Sequence, residues 1–324
     1  MNIHQGFVLT RQARDYSGAT HIDLWLSTPT GPTLLTVPNE KPIFFVEQSQ
    51  QSVVQALAQK ENIQCELKPL PMTTFEHEPL SACYFELNRA AMNFAQVLHS
   101  EGILTFESDI KLADRYLMER FIKGSIEFSG IETRKKDFSH FSQVKCRSGQ
   151  YLPMLSVVSL DIECSEKGIL YSIGLDSKLD SRVIMIGENQ PSETPIQWVK
   201  DEKALLEAMV DWFTQFDPDI IIGWNVIDFD FRLLHKRADW HNLKLKMGRN
   251  RQPSFFRSSA QSQQGFITIP GRVVLDGIDT LKTATYHFRS WSLESVSQEM
   301  LGEGKDIHNV HDRMDEINRM YKRD

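Results

Sequence analysis

Two stretches decide how this chain is read: LPMLSVVSLDIE (152–163) and PDIIIGWNVIDFDFRLL (218–234). In the first, a long apolar run ends in alternating acids. Side chains on a strand alternate between its two faces, so Asp161 and Glu163 project from one face while Leu160 and Ile162 project from the other. Two like charges then stand side by side, which is unfavourable unless the acids face water, share a proton or hold a cation. A solvated strand end is one reading; a hard, oxygen-seeking ion such as Mg²⁺ or Mn²⁺ is the other. In the second stretch an apolar strand runs to Gly223 and a polar turn opens a helix, with Asn225, Phe229 and Asp230 near its beginning. Strand ends leading into helices are where α/β sheets place ligand sites, so Asp230 brings a third carboxylate to the same sheet edge. Asp228 and Asp230 also suit a helix N-terminus through capping and the macrodipole, which leaves a structural role open for each.

The surroundings of these stretches set the architecture. ILYSIGL (169–175) and RVIMIG (182–187) read as two more strands, and DEKALLEAMVDWFTQF (201–216) as a helix with Leu205, Met209, Trp212 and Phe213 on one face. FDFRLLHKRADWHNL (229–243) reads as a second helix. Beyond a Gln/Ser-rich stretch (258–264) come the strand GRVVLD (271–276) and the helix SWSLESVSQEML (290–301). Three strands, then helix, strand, helix, strand, helix, call for a mixed sheet with helices on its faces. Upstream, GFVLTR (6–11), THIDLWLS (20–27) and TLLTVP (33–38) predict a β-meander. QSQQSVVQALAQKEN (48–62) and LNRAAMNFAQVLHSEG (87–102) predict helices. From 124 to 152 periodicity fades and Arg134-Lys135-Lys136 reads as a solvated turn, which places a boundary near 150. The expectation is an α+β domain over 1–150 and an α/β domain over 151–324.

Composition narrows the function. The chain has 324 residues, 36 Lys plus Arg against 43 Asp plus Glu, and a net charge of −7. That balance argues against gripping nucleic acid by bulk positive charge, though local basic surfaces stay open. Cys65, Cys83, Cys146 and Cys164 lie far apart with no CxxC, and the ten histidines show no HExxH, so a zinc site is not expected. Reduced thiols, the lack of a signal peptide and the lack of a run of about 18 apolar residues predict a cytoplasmic protein with no membrane partner.

LDIE (160–163) resembles the first motif of the DEDD exonucleases, and Asn225-x-x-x-Phe229-Asp230 is similar to the second motif as it occurs in family B DNA polymerases. GFVLTR, FESDI (106–110), RYLMERF (115–121), IIGWN (221–225), GRVVLDGID (271–279) and LGEGK (301–305) extend the resemblance to family B DNA polymerases, in their bacterial branch, over essentially the whole chain. It implies an N-terminal domain followed by a 3′-to-5′ proofreading exonuclease of ribonuclease H-like fold. It also implies DNA as partner, and a polymerase palm and a possible sliding-clamp contact that belong to a longer parent active in replication and repair. Asp161, Glu163 and Asp230 are then metal-binding and catalytic, holding two ions, Mg²⁺ or Mn²⁺, for phosphodiester hydrolysis. Asn225 orients the primer end, and Phe229 packs either beneath the site or against a base. Asp276 caps the next helix or supports the site from behind. Apart from the resemblance, Trp212, Trp224, Trp240 and Trp291 sit within helical or strand patterns and read as core, with a bracing role beside Asn225 also open for Trp224. Arg11, Arg14, Arg115 and Arg120 make surface ion pairs or touch phosphate.

The family's third motif, Tyr-x-x-x-Asp, is not found. Tyr321 and Asp324 stand three apart rather than four, which turns the acid to another azimuth of a helix. Met314, Ile317 and Tyr321 continue a helical spacing to the last residues, so the chain is expected to stop short of that motif and to degrade DNA slowly or not at all. A catalytically silent nucleic-acid-binding module of the same fold, and a free-standing DEDD exonuclease, are the competing readings.

Overall fold

The meander forms as its turn residues dictate. A computed structural model of the chain describes residues 2–192 and 195–302. Strands β1 (His4–Tyr16), β2 (Ala19–Thr28) and β3 (Gly31–Val37) pair antiparallel in sequence order. Ser17, Gly18 and Gly31, all with positive φ, make the reversals. The chain then leaves to build β4 (Ile43–Glu47), α1 (Gln51–Lys60), β5 (Glu66–Thr73), β6 (Pro79–Tyr84) and α2 (Asn88–Ser100). These strands form a sheet of order β4-β6-β5, and the helices bury Val54, Ala58, Phe94 and Leu98 against Phe44 and Phe85. After α3 (Leu112–Glu119) the chain returns as the hairpin β7 (Ser125–Arg134) and β8 (Ser139–Ser148), closing a barrel of order β1-β2-β3-β8-β7.

That hairpin corrects the reading of 124–152 as unpatterned. A register shift between Ser129 and Ile131 breaks the alternation on which a strand is recognised, and the outer half of the hairpin is exposed and polar. Arg134, Lys135 and Lys136 lie exposed at its tip. Arg11, Arg14, Arg115 and Arg120 are all ion-paired, with Asp114, Asp23, Glu107 and Glu40 respectively.

Compact units divide between Pro153 and Met154. The second opens with β9 (Val157–Cys164), β10 (Leu170–Asp176) and β11 (Arg182–Ile186), an antiparallel run. Next come β12 (Ile196–Val199), α4 (Glu202–Phe216) and β13 (Ile220–Gly223), a six-residue π-helix (Val226–Phe231) and α5 (Arg232–Trp240). The hairpin β14 (Phe255–Ser258) and β15 (Gly265–Thr268), then β16 (Val273–Asp276), α6 (Gly277–Thr283) and α7 (Leu293–Leu301) complete it. The sheet has the order β12-β11-β10-β9-β13-β16, with β13 parallel to both β9 and β16. Mixed pairing was expected; β12, α6 and the β14–β15 hairpin were not, being too short or too polar to show a period. On one face Val158, Leu160, Ile162 and Ile221 are buried with Leu205, Met209, Trp212 and Phe213 of α4. Trp240 corrects its core assignment: it is 74% exposed, with Arg237 over its ring.

Two buried charge groups hold this unit. Glu202, at the start of α4, accepts from the Leu170 amide at 2.9 Å, from Arg237 Nε at 2.7 Å, and stands 2.7 Å from His241 Nε2. Burial raises its pKa, but Arg237, His241 and the Leu170 amide outweigh this and hold it below the ordinary range. A carboxylate depressed in the folded state adds stability above its unfolded pKa and loses it as pH falls through the folded value. Glu202→Gln is therefore expected to cost stability at pH 7, with the difference from wild type shrinking as pH falls below about 4; urea melts at pH 7, 5 and 3 check this. At the opposite end of β13, Arg272 and Arg249 are buried beside Asp217 and Asp219.

Candidate active site

The acids of β9 alternate as its pleat requires: Asp161 and Glu163 are exposed on one face while Leu160 and Ile162 are buried on the other. The β13 ladder runs alongside β9 only from Val157 to Ser159. Past that point the Ile162 amide needs another partner. It finds one in Asp230, whose Oδ1 accepts from Ile162 N at 3.1 Å. Asp230 is 1% exposed, and its carboxylate rests on the backbone between the two acids of the strand.

The chain reaches this arrangement through a special turn. Asn225 adopts a left-handed conformation with φ 56°, and the π-helix follows, a wider turn than the α-helix predicted there. Within it Asp228 and Asp230 take different directions. Asp228 Oδ1 accepts from the Gly265 amide at 2.7 Å and pairs with Arg232, whose guanidinium also donates to Ser258 Oγ and Gln263 O at 2.8 Å. The β14–β15 hairpin is thereby fastened to the turn. Asp276, at the end of β16, holds it from the other side: Oδ2 accepts from Ile227 N at 3.0 Å, and Oδ1 caps α6 through Ile278 N at 2.9 Å. The capping role read for Asp276 is what the geometry contains.

Charge is concentrated here. Burial first, then the Asp161 carboxylate, and also that of Asp276, push the Asp230 carboxyl up to about 8, against the lowering effect of its backbone hydrogen bonds. Cys164 is raised by burial and by the charges of Glu163 and Asp230, so these two acids also share one neighbourhood. Asp279 is raised by burial, Asp276 and Asp228. The donors are hard carboxylate oxygens set among neighbouring acids, which suits Mg²⁺ or Mn²⁺. Among the described residues no three His, Cys, Asp or Glu side chains converge closely enough to hold an ion. Asp161 and Asp230 are brought together electrostatically, and Glu163 stands one pleat further along.

Phe229 is 47% exposed, which corrects the reading that it packs beneath the site. An apolar residue at helical spacing reads as core, whereas in the π-turn Phe229 lies outward. Asn225 is half-buried. Trp224 donates from Nε1 to Trp291 O at 3.0 Å and lies against Gly277, where a Cβ would stand 2.8 Å from its ring. Ile222 and Leu275, in register with Ser159 across β13 and β16, are exposed on the face that carries Asp161. Tyr321 and Asp324, Met314, Ile317 and residues 303–305 lie outside the described residues.

The family model for the DNA polymerase family B exonuclease domain matches residues 103–296. This chain belongs to that family. In this family B chain, the DNA polymerase II N-terminal and insertion domain models match residues 6–41 and 43–103. The insertion match coincides with the piece from β4 to α2 that interrupts the barrel. The chain is 37% identical to DNA polymerase II of Escherichia coli (strain K12) over 98% of its own length and 41% of that protein. It is 31% identical to the DNA polymerase delta catalytic subunit of Plasmodium falciparum over 64% of its length and 23% of that subunit. The family B DNA polymerase of the archaeon Pyrobaculum calidifontis shares its fold, with a TM-score of 0.75 at 14% identity over 98% of this chain and 43% of that one. The chain thus spans less than half of each of these relatives. Among the described residues no helix is long and apolar enough to cross a membrane.

Proposed function

We propose that the sheet edge formed by β9, β13 and β16 is a 3′-to-5′ proofreading exonuclease centre, in which Asp161, Glu163 and Asp230 are the metal-binding and catalytic carboxylates. The observation that carries this reading is the Asp230 carboxylate on the Ile162 amide, between Asp161 and Glu163. The reading extends to a ribonuclease H-like domain over 151–324, supported by a sheet whose first three strands are antiparallel and whose remaining three run parallel to the first. Residues 1–150 form the N-terminal domain of the same polymerase. Template-directed DNA synthesis, action in replication and repair, a sliding-clamp contact and a cytoplasmic setting are proposed for the whole protein by its likeness to the relatives.

The reaction adds water across the terminal phosphodiester, giving a 5′-mononucleotide and a new 3′-hydroxyl. Mg²⁺ or Mn²⁺, when bound, polarises the scissile phosphate and activates water. The protein's part is placement: the Ile162 amide fixes the Asp230 carboxylate, and β9 fixes Asp161 and Glu163 by its pleat. Asn225 and the exposed ring of Phe229 hold the terminal nucleotide. Stacking on Phe229 is tolerant of base identity, as proofreading requires.

A 3′-labelled single-stranded oligonucleotide tests the proposal. Slow release of labelled mononucleotide is expected with Mg²⁺ or Mn²⁺, stopping in chelator and in Asp161→Ala. Salt-sensitive binding without release in either metal is the result expected of a silent binding module, and it would sink the exonuclease reading.

A further inference from the structure

The segment KTATYHFRSW (282–291) interleaves bases with aromatic rings, and no acid lies between Asp279 and Glu294. In a chain of net charge −7 this is a local reversal of sign. The rings form a ladder. Tyr286 and Phe288 lie parallel, 3° apart at 6.2 Å, and Phe288 meets Trp291 edge-on at 5.1 Å. Lys282 Nζ sits 5.2 Å over the Trp291 ring. Tyr286 is 47% exposed, Phe288 and Trp291 are half-buried, and the guanidinium of Arg289 makes no ion pair among the described residues. Thr285, a β-branched residue, is held at φ 65° just before the first ring, a conformation that needs support from its surroundings.

The ladder is fastened to the candidate active site. Trp291 O accepts from Trp224, the residue before Asn225, and α6, from which the segment emerges, is capped by the same Asp276 side chain that holds Ile227. We propose that 282–291 is a seat for single-stranded DNA, in which Tyr286 and Phe288 stack on bases behind the terminal nucleotide and Arg289 pairs with a phosphate. This rests on the exonuclease reading for its direction toward the site, but not for the binding itself. The exposed Tyr286 ring beside the Arg289 guanidinium supplies the two elements of sequence-tolerant single-strand binding, a stacking face and a cation.

The test uses the full chain and a 5′-fluorescein-labelled (dT)12 in EDTA, read by anisotropy. Tyr286→Ala is expected to weaken binding about tenfold, and Tyr286→Phe to restore it. Arg289→Ala is expected to lower the slope of log affinity against log salt by about one phosphate contact. With Mn²⁺, hydrolysis of thymidine 5′-p-nitrophenyl phosphate, too short to reach the ladder, stays unchanged in Tyr286→Ala while KM for the oligonucleotide rises. Equal (dT)12 affinity in wild type and Tyr286→Ala overturns the proposal; paired with a lowered melting temperature, it assigns the rings a packing role only. If wild type hydrolyses neither substrate, the exonuclease reading fails while the anisotropy still decides the seat.

Discussion

Asp230→Asn is expected to remove trimming and at the same time to make the metal-free protein more stable than wild type at pH 8. The side chain is 1% exposed, and burial together with the charges of Asp161 and Asp276 lifts its pKa to about 8. A carboxyl raised in the folded state holds its proton where the unfolded chain has already lost it. Wild-type stability therefore falls as pH climbs from about 4 towards 8. Asparagine keeps an oxygen for the Ile162 amide and never ionises, so the fall that Asp230 contributes over that range is absent from its melting temperature in EDTA. The gain at pH 8 is on the order of 2 kcal/mol, well under the full linkage value because a buried site relaxes and admits water. Mg²⁺ or Mn²⁺ should restore the wild type at pH 8 and leave the variant unmoved. Loss of a carboxylate ligand is expected to cost about 10³-fold in trimming rate. Parallel pH slopes for the two proteins in EDTA would contradict the argument, as would trimming by the variant at the wild-type rate.

Arg272→Met should be the most damaging single change far from the acids. Arg272 is 3% exposed and donates to Met247 O at 2.7 Å, Pro218 O at 2.5 Å and Phe213 O at 2.8 Å, while Nη1 lies 2.8 Å from Asp217. It ties the end of α4, the start of β13 and the loop before β14 to β16. Burial lowers its pKa to about 10 in spite of Asp217, a mark of how far the guanidinium has been taken from water. Methionine fills much of the volume but leaves three carbonyls without their donor and weakens the hold on Asp217. Removing one partner of a buried network costs about 3–5 kcal/mol. Arg272→Lys recovers only part of this, since one ammonium cannot reach acceptors set out for a planar fork. Urea unfolding of both variants checks the order wild type, then Lys, then Met; a Met variant within 1 kcal/mol of wild type, roughly the scale of a surface change, would show the network to be dispensable.

The alternation of Leu160, Asp161, Ile162 and Glu163 was legible because a strand has only one period, and the apolar stripe of α4 because one face of a helix has another. Both survive in any tertiary setting that buries one side. Asp230 was legible as a third acid near the same edge, but its hydrogen bond to Ile162 depends on where the β13 ladder stops, and no local pattern encodes that. The π-turn escaped for a similar reason, since its residues satisfy the α-helical spacing equally well, and with it the outward turn of Phe229 was missed. The Gln/Ser-rich stretch concealed a hairpin because β14 and β15 have four residues each, too few to show a period, and are held by Arg232 and Asp228 instead. Charge totals misled in one direction only: the value of −7 is an average that hides a basic, aromatic segment beside the acids.

The interrupted barrel has a consequence for how the protein is made. β3 pairs in parallel with β8, Thr33 opposite Ser139, so the barrel's last seam joins residues more than a hundred apart. At roughly 5–20 residues per second, a ribosome needs several seconds to synthesise that interval. Throughout that time the meander β1 to β3 has an open edge and an uncovered apolar face carrying Leu24, Leu26 and Leu35. The inserted piece from β4 to α2 has a core of its own and neighbouring partners, so it can fold while the barrel waits. Early synthesis is then the interval in which this chain is most exposed to strand-to-strand aggregation, and the arrival of β7 and β8 ends it.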